Sequence, residues 1–291
     1  MFETLSMLEN SIVAFSDAMR VLAADVQNFQ SNGYKQTRYT FTSIYSDAIA
    51  RVGTASTGTA GSSNVQSFAA GVMLLPMGLD FSQGGLQAVG RLNAAVSGQG
   101  LFTMKPENSS NFVYTRASDF VFAADGTLVD VYGRKVMGFK RTNGTTDTSN
   151  MTEIKLDPDT VDLSDVGFED DGLLVTNFNA RKTARENDET VPEGEELFQL
   201  ALADVPNPSS LESVVGNAYK TTINSGEPAR YGVAGQASFG DVVGATVESS
   251  NVNPAETTIV GIQLQRGYNI VQSALTMINK MLTSFTSAVN S

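Results

Sequence analysis

The sequence predicts an α+β protein in which long helices at the two ends bracket a mostly antiparallel β middle. Three observations predict it. The stretch 253–291 carries apolar residues at alternating spacings of four and three. Residues 5–29 repeat that pattern at the other end of the chain. Between 95 and 140, short β-branched and aromatic runs alternate with turn residues.

The C-terminal stretch reads as one helix. Val260, Leu264, Gly267, Val271, Ala274, Ile278, Met281, Phe285 and Ala288 form a heptad seam, which keeps one stripe turned toward a partner. Asn253 is placed to cap, Pro254 suits the first helical position, and Glu256 follows three residues after the cap. Between Val260 and Ala288 only Arg266 and Lys280 are charged. Ile259, Ile262, Tyr268, Ile270, Leu275, Met277 and Leu282 lie off the seam. A helix that is apolar on more than one face wants several neighbours.

The matching stripe is Leu5, Leu8, Ile12, Phe15, Met19, Leu22, Val26 and Phe29. It predicts a first helix over 3–30, closed at Gln30-Ser31-Asn32-Gly33, where Gly33 supplies the positive φ of a helix end. A helical pair closing a single globular domain is the plainer alternative. The pattern favours a device for assembly.

Between the helices, Tyr34 to Phe41 alternates aromatic with polar residues. Residues 53–64 are low in complexity and read as a flexible or extended loop. Phe68 to Phe81 is apolar again, with Pro76 arguing against a helix. Strands are expected at Ala95–Val96, Leu101–Met104, Phe112–Thr115, Phe120–Phe122, Leu128–Val131 and Lys135–Phe139, separated by Gly- and Asn-containing turns. Residues 142–150 read as a polar loop. Residues 154–232 read as a second, weaker β region. The domain division is then 1–32 with 253–291 as a terminal helical domain, 33–94 as an extended linker with an insertion loop, and 95–252 as a β-rich domain.

Composition narrows the function classes. A chain of 291 residues with 41% apolar content can bury a sizeable core. It has no Cys, no His and no Trp. Thiolate chemistry, disulfides and imidazole general bases or zinc ligands are therefore ruled out. The net charge of −12 opposes nucleic acid and anionic membrane surfaces as partners. No apolar run approaches the roughly 20 residues of a spanning helix, so no membrane insertion is expected. The acidic Met1-Phe2-Glu3 start does not resemble a secretory signal peptide. From Asp157 to Glu196, thirteen carboxylates face three basic residues. Within that run Asp157, Asp159, Asp162 and Asp165 lack the spacing of a calcium loop and read as a solvated face. Gly98-Gln99-Gly100 lacks the third glycine of a phosphate loop. No carboxylate pair is selected by its spacing, and a serine nucleophile would have no histidine. No catalytic, cofactor-binding or metal residue is expected.

Several blocks carry a resemblance to the flagellar rod and hook family of bacterial axial proteins. Asn28-Phe29-Gln30-Ser31-Asn32-Gly33-Tyr34-Lys35 resembles the family's Asn-x-x-Thr-x-Gly-Phe-Lys segment. Ala95-Val96-Ser97-Gly98-Gln99-Gly100-Leu101-Phe102 resembles its strand and turn, and Tyr114-Thr115-Arg116 with Asp125-Gly126-Thr127-Leu128-Val129 resembles the hairpin that follows. Glu248-Ser249-Ser250-Asn251-Val252-Asn253-Pro254-Ala255-Glu256 and Gln265-Arg266-Gly267-Tyr268 resemble the start of its terminal helix. The family's Asn-Asn-Leu-Ala-Asn run reads Asp25-Val26-Gln27-Asn28 here, keeping only its last Asn.

The resemblance implies terminal helices paired as an inner coiled-coil or tube layer, with β domains stacked outside. It implies a structural subunit of a homopolymer that contacts other rod and hook proteins, and bushing rings around the rod. It also implies export without a cleaved signal. Length and the position of the 46–66 loop favour a distal-rod-like chain, with the hook as runner-up. A secreted binding or adhesion module is the alternative of another class. The expected assembly residues are the stripe from Leu5 to Phe29 together with Val260, Leu264, Val271, Ile278, Met281 and Phe285.

Overall fold

The computed structural model describes residues 2–45, 69–107, 109, 111–142, 144–187, 190, 195–228, 230–236 and 239–289. The insertion loop expected at 46–66 lies outside the described residues. The chain forms two compact units. The first comprises Met1–Gln27, Thr37–Met77 and Asn253–Ser291, and the second comprises Asn28–Gln36 and Gly78–Val252.

In the first unit, helix α1 spans Phe2–Gln27. A two-stranded sheet is built from Thr37–Tyr45 and Ala69–Leu79. The first helix ends three residues before the position expected from its stripe. The Ser31 N–H donates to the Asn28 carbonyl in a tight turn (3.0 Å), and Gly33 takes φ +66° after that turn rather than directly after the helix.

The second unit is a β structure whose strand pairs all run antiparallel. Its main sheet is ordered Gly167–Phe168, Leu173–Val175, Glu196–Leu200, Lys135–Thr142, Leu101–Lys105, Val113–Thr115, Ala218–Lys220 and Glu212–Val214. Register is fixed by pairs such as Thr103 with Tyr114, Met104 with Val136 and Phe198 with Lys140. Alternate residues of these strands point into one core. There the Phe120 ring meets Phe102 and Phe168 edge-to-face, with centroids 5.8 and 6.2 Å away. Two small sheets complete the unit, Ala94–Ser97 with Asp241–Gly244 and Leu86–Ala88 with Thr246–Glu248.

Two segments differ from expectation. The region read as a polar loop at 142–150 contains the strand Thr145–Glu153, which folds back on Lys135–Thr142. It is a polar, largely exposed ribbon and so lacks the apolar alternation by which strands are recognised. Its signals were its threonines and the Asn143-Gly144 dipeptide, with Gly144 at φ +76°. Within the region read as weak β, helix α2 spans Phe178–Glu186. Asp165 caps it, accepting the Asn179 backbone N–H at 3.1 Å.

Helix α2 presents two arginines to the buried Glu169. Arg181 Nε and Nη2 stand 2.8 and 3.0 Å from its carboxylate oxygens, and Arg185 Nη2 stands 2.7 Å away. Burial raises the Glu169 pKa, but the two guanidiniums outweigh it and hold the carboxyl below the usual glutamate value. The folded value lies below the unfolded one. The stabilisation is therefore complete above the ordinary glutamate range and is lost as pH falls through the folded value. Glu169→Gln is expected to cost about 2 kcal/mol at neutral pH, with the gap to wild type closing as pH falls below the ordinary glutamate range. Denaturant midpoints of both proteins across that range check this.

Candidate assembly interface

Helix α3 spans Pro254–Val289. The Asn253 side chain caps it, accepting the Ala255 N–H at 3.1 Å, and Pro254 opens it without wasting a donor. Helices α1 and α3 run antiparallel. A Cβ on Gly267 would stand 2.6 Å from the Phe15 ring, and one on Gly261 would stand 3.1 Å from Leu22. Gly267 sits on the seam because the Phe15 ring occupies the space a larger residue would need.

The other face of α1 is made of small residues. Ser11, Ala14 and Ala18 are buried, and the Ser11 hydroxyl accepts the Val72 N–H of the strand Ala69–Leu79 (3.4 Å). That Ser-x-x-Ala-x-x-x-Ala spacing was present in the sequence but escapes a search for large apolar residues.

The expected interface residues fall into three groups. Leu264 is buried, and Leu5, Leu8, Ile12, Phe15, Met19, Leu22, Val260, Val271 and Ile278 are half-buried. Val26 is 49% exposed and Phe29 40% exposed, with Phe29 beyond the end of α1. Met281 and Phe285 are 59% and 64% exposed. Lengths explain the last pair. At 1.5 Å per residue α1 is roughly 39 Å long and α3 roughly 54 Å. With Phe15 against Gly267, α1 begins near about residue 280 of its partner. Among the described residues, α1 does not reach the last turns of α3.

A second apolar stripe on α3, Ile259, Ile262, Ile270 and Met277, is also exposed, Ile270 by 70%. From Tyr268 to Val289 the only charged residue is Lys280. The hydroxyls of Ser273, Thr276, Thr283, Ser284 and Thr286 each donate to the carbonyl four residues back, at 2.8–3.0 Å. Their donors are already used, so covering this surface leaves few polar groups stranded.

The β unit holds the second constellation. Glu248 and Lys35 side chains are 0% exposed and meet at 2.6 Å. Arg116 Nη1 reaches the other carboxylate oxygen at 3.0 Å, and the Gly84 N–H donates to the first at 2.9 Å. Lys35 also donates to the Ser82 carbonyl (2.8 Å), and Arg116 to those of Val96 (3.2 Å) and Gly98 (2.6 Å). Burial pushes the Lys35 pKa down, and Glu248 restores it only in part. Four of the sequence blocks that carried the family resemblance thus send residues to one point: Lys35, Val96 with Gly98, Arg116, and Glu248.

Elsewhere in this unit a polar recess of about 320 Å³ is lined by Asn32, Asp119, Asp130, Tyr132, Arg134 and Asn217, among others. Its Asp130 and Arg134 already bond each other at 2.6 Å. Among the described residues no group of acidic side chains is placed to hold a metal ion, and no helix is long and apolar enough to cross a membrane.

A closed β unit joined in one chain to helices with uncovered apolar stripes defines a structural assembly subunit. Residues 244–288, from the strand Thr246–Glu248 through nearly all of α3, match the family model described as flagellar basal body rod FlgEFG protein C-terminal. The chain is similar to the flagellar basal-body rod protein FlgG of Buchnera aphidicola subsp. Baizongia pistaciae, 28% identical over 268 residues and 91% of each chain. It is likewise similar to FlgG of Bacillus subtilis, 26% identical over 92% of each. To the flagellar hook protein FlgE of Helicobacter pylori it is 32% identical over 123 residues, 42% of this chain and 16% of that one. These matches make the chain similar to the flagellar basal-body rod and hook proteins, most extensively to those of the rod.

The Phe15–Gly267 contact makes a size-complementation prediction. Gly267→Leu is expected to overpack the helix pair by about 1–3 kcal/mol and to lower the helical circular-dichroism signal. Adding Phe15→Ala should restore part of it, while the near-ultraviolet signal of the tyrosines in the β unit stays unchanged. An unaltered helical signal in Gly267→Leu contradicts this packing.

Proposed function

We propose that the chain is a distal-rod-like structural subunit of the flagellar axial structure, polymerising through its terminal helices into a tube that transmits torque. The observation that carries this reading is the apolar surface of α3 that its own chain leaves exposed, Met281 and Phe285 above all. Each large apolar side chain buried on assembly contributes roughly 1.5–3 kcal/mol. A head-to-tail contact that does not close on itself yields a helical filament.

In this reading residues 1–32 and 253–291 form the assembly domain and an inner coiled-coil layer. Residues 33–94 form a linker with the insertion, and 95–252 form the outer β domain. The stripe from Leu5 to Phe29 and the seam residues Val260, Leu264, Val271, Ile278, Met281 and Phe285 lie in contacts within and between copies. The relatives' coverage of nine-tenths of each chain supports the rod type. The partial match to a hook protein supports a hook subunit as second reading. Exposed Asp157, Asp159 and Asp162 would face water or the basic surface of a surrounding ring. Other rod and hook proteins are the neighbours at each end. Export leaves the N-terminus uncut, which mass measurement of chains recovered outside the cytoplasm checks.

Electron microscopy tests the reading. The purified full chain is expected to form tubes, straight for a rod and curved for a hook. Chains lacking 1–30 and 253–291, and the full chain with Met281→Asp and Phe285→Asp, are expected to stay monomeric. Charge reversal at Asp157, Asp159 and Asp162 should leave tubes intact; loss of tubes there moves the acidic face into a subunit contact. A monodisperse full-length monomer at every concentration overturns the proposal in favour of a binding module.

A further inference from the structure

The β unit contains strands that lack partners until its last residues are in place. Among the described residues, Leu86–Ala88 and Ala94–Ser97 pair only with Thr246–Glu248 and Asp241–Gly244. Ala94, Ala95 and Val96 are nonetheless fully buried, as are Val242 and Val247 on the late strands. The same late segment gathers distant backbone. The Gly33 N–H donates to the Glu248 carbonyl (2.7 Å) and the Ser249 N–H to that of Gly85 (2.8 Å). The Asn251 side chain accepts the Gln36 N–H (2.8 Å) and donates to the Asp80 carbonyl (2.7 Å).

Glu248 completes this closure. Without it, Lys35 keeps only the Ser82 carbonyl, and Arg116 only those of Val96 and Gly98. Two buried cations would face each other with only the weaker influence of Asp80 on Lys35 as counter-charge, a costly arrangement in a folded interior. Burial holds the Lys35 pKa down, and the nearby Arg116 lowers it further. By contrast, the hairpins built from Leu101–Lys105 with Val113–Thr115, and from Lys135–Thr142 with Thr145–Glu153, join strands that are neighbours in sequence and need no late segment.

We infer that residues 241–252 are a closing latch, and that 33–36, 84–98 and Arg116 stay open until Glu248 locks them. A chain delivered N-terminus first would therefore carry a formed main sheet beside an unclosed edge until its last strand arrives. The inference concerns the β unit alone and stands whatever the terminal helices bind.

Pulse-labelled amide exchange during refolding of the full chain, read by mass spectrometry, tests it. Peptides covering 101–115 and 135–153 are expected to gain protection first. Peptides covering 33–36, 86–97 and 241–251 should follow together in a later step. In native Glu248→Gln, that second set should exchange about tenfold faster or more, with 135–153 unchanged. Protection of 86–97 together with 135–153, or ahead of 241–251, overturns the inference. So does a Glu248→Gln effect spread evenly over all segments. If the variant does not fold, the order of protection in the wild-type chain decides alone.

Discussion

The terminal helices carry apolar surface that stays exposed in the single chain, and this constraint organises the rest of the described part of the first unit. Helix α1 spends its small-residue face, Ser11, Ala14 and Ala18, on the strand Ala69–Leu79. Its larger residues Phe15 and Leu22 meet α3 at two glycines. That leaves the Ile259–Met277 stripe and the last turns of α3 in water. An isolated helix gains too little from its own hydrogen bonds to be firm, so its stability has to come from neighbours. The serine and threonine hydroxyls folded back on the helix remove the polar cost of supplying them.

The β unit obeys the opposite rule. Its buried charges are matched inside the chain, Glu248 by Lys35 and Arg116, Glu169 by Arg181 and Arg185, and Asp130 by Arg134. Removing one partner of such a group strands the others in a low-dielectric interior, so each cluster is all or nothing. A unit closed in this way is suited to keep its shape under load, whereas the helices are suited to be completed by others. Under the proposed function, the two kinds of surface correspond to the two demands on a subunit of an axial polymer.

Much of this was legible in the chain. The helix α3, its Asn253 cap and the antiparallel strands between 95 and 140 follow from periodicity and turn residues, and they stand where expected. Near the end of α3, Leu282 is half-buried while the seam residues Met281 and Phe285 are exposed. A straight helix drifts about 20° per heptad from a strict seven-residue repeat, and α1 no longer runs alongside. Other features were illegible for stated reasons. The strand Thr145–Glu153 has a single apolar residue, Met151, in nine, and α2 has a single large apolar residue, Phe178, in nine. The Glu248 cluster joins Lys35 to a carboxylate 213 residues away. No local pattern announces such a pair, although each of its members lies in a block that the family resemblance had already marked.

The central claim is that α3 is finished by other copies. Amide exchange of the full chain, followed in dilute monomer and in the assembled state, tests it most directly. The account predicts fast exchange over 270–289 in the monomer and slow exchange in the assembly, with 101–142 slow in both. Slow exchange over 270–289 in the dilute monomer would contradict it, because the helix would then be complete within a single chain.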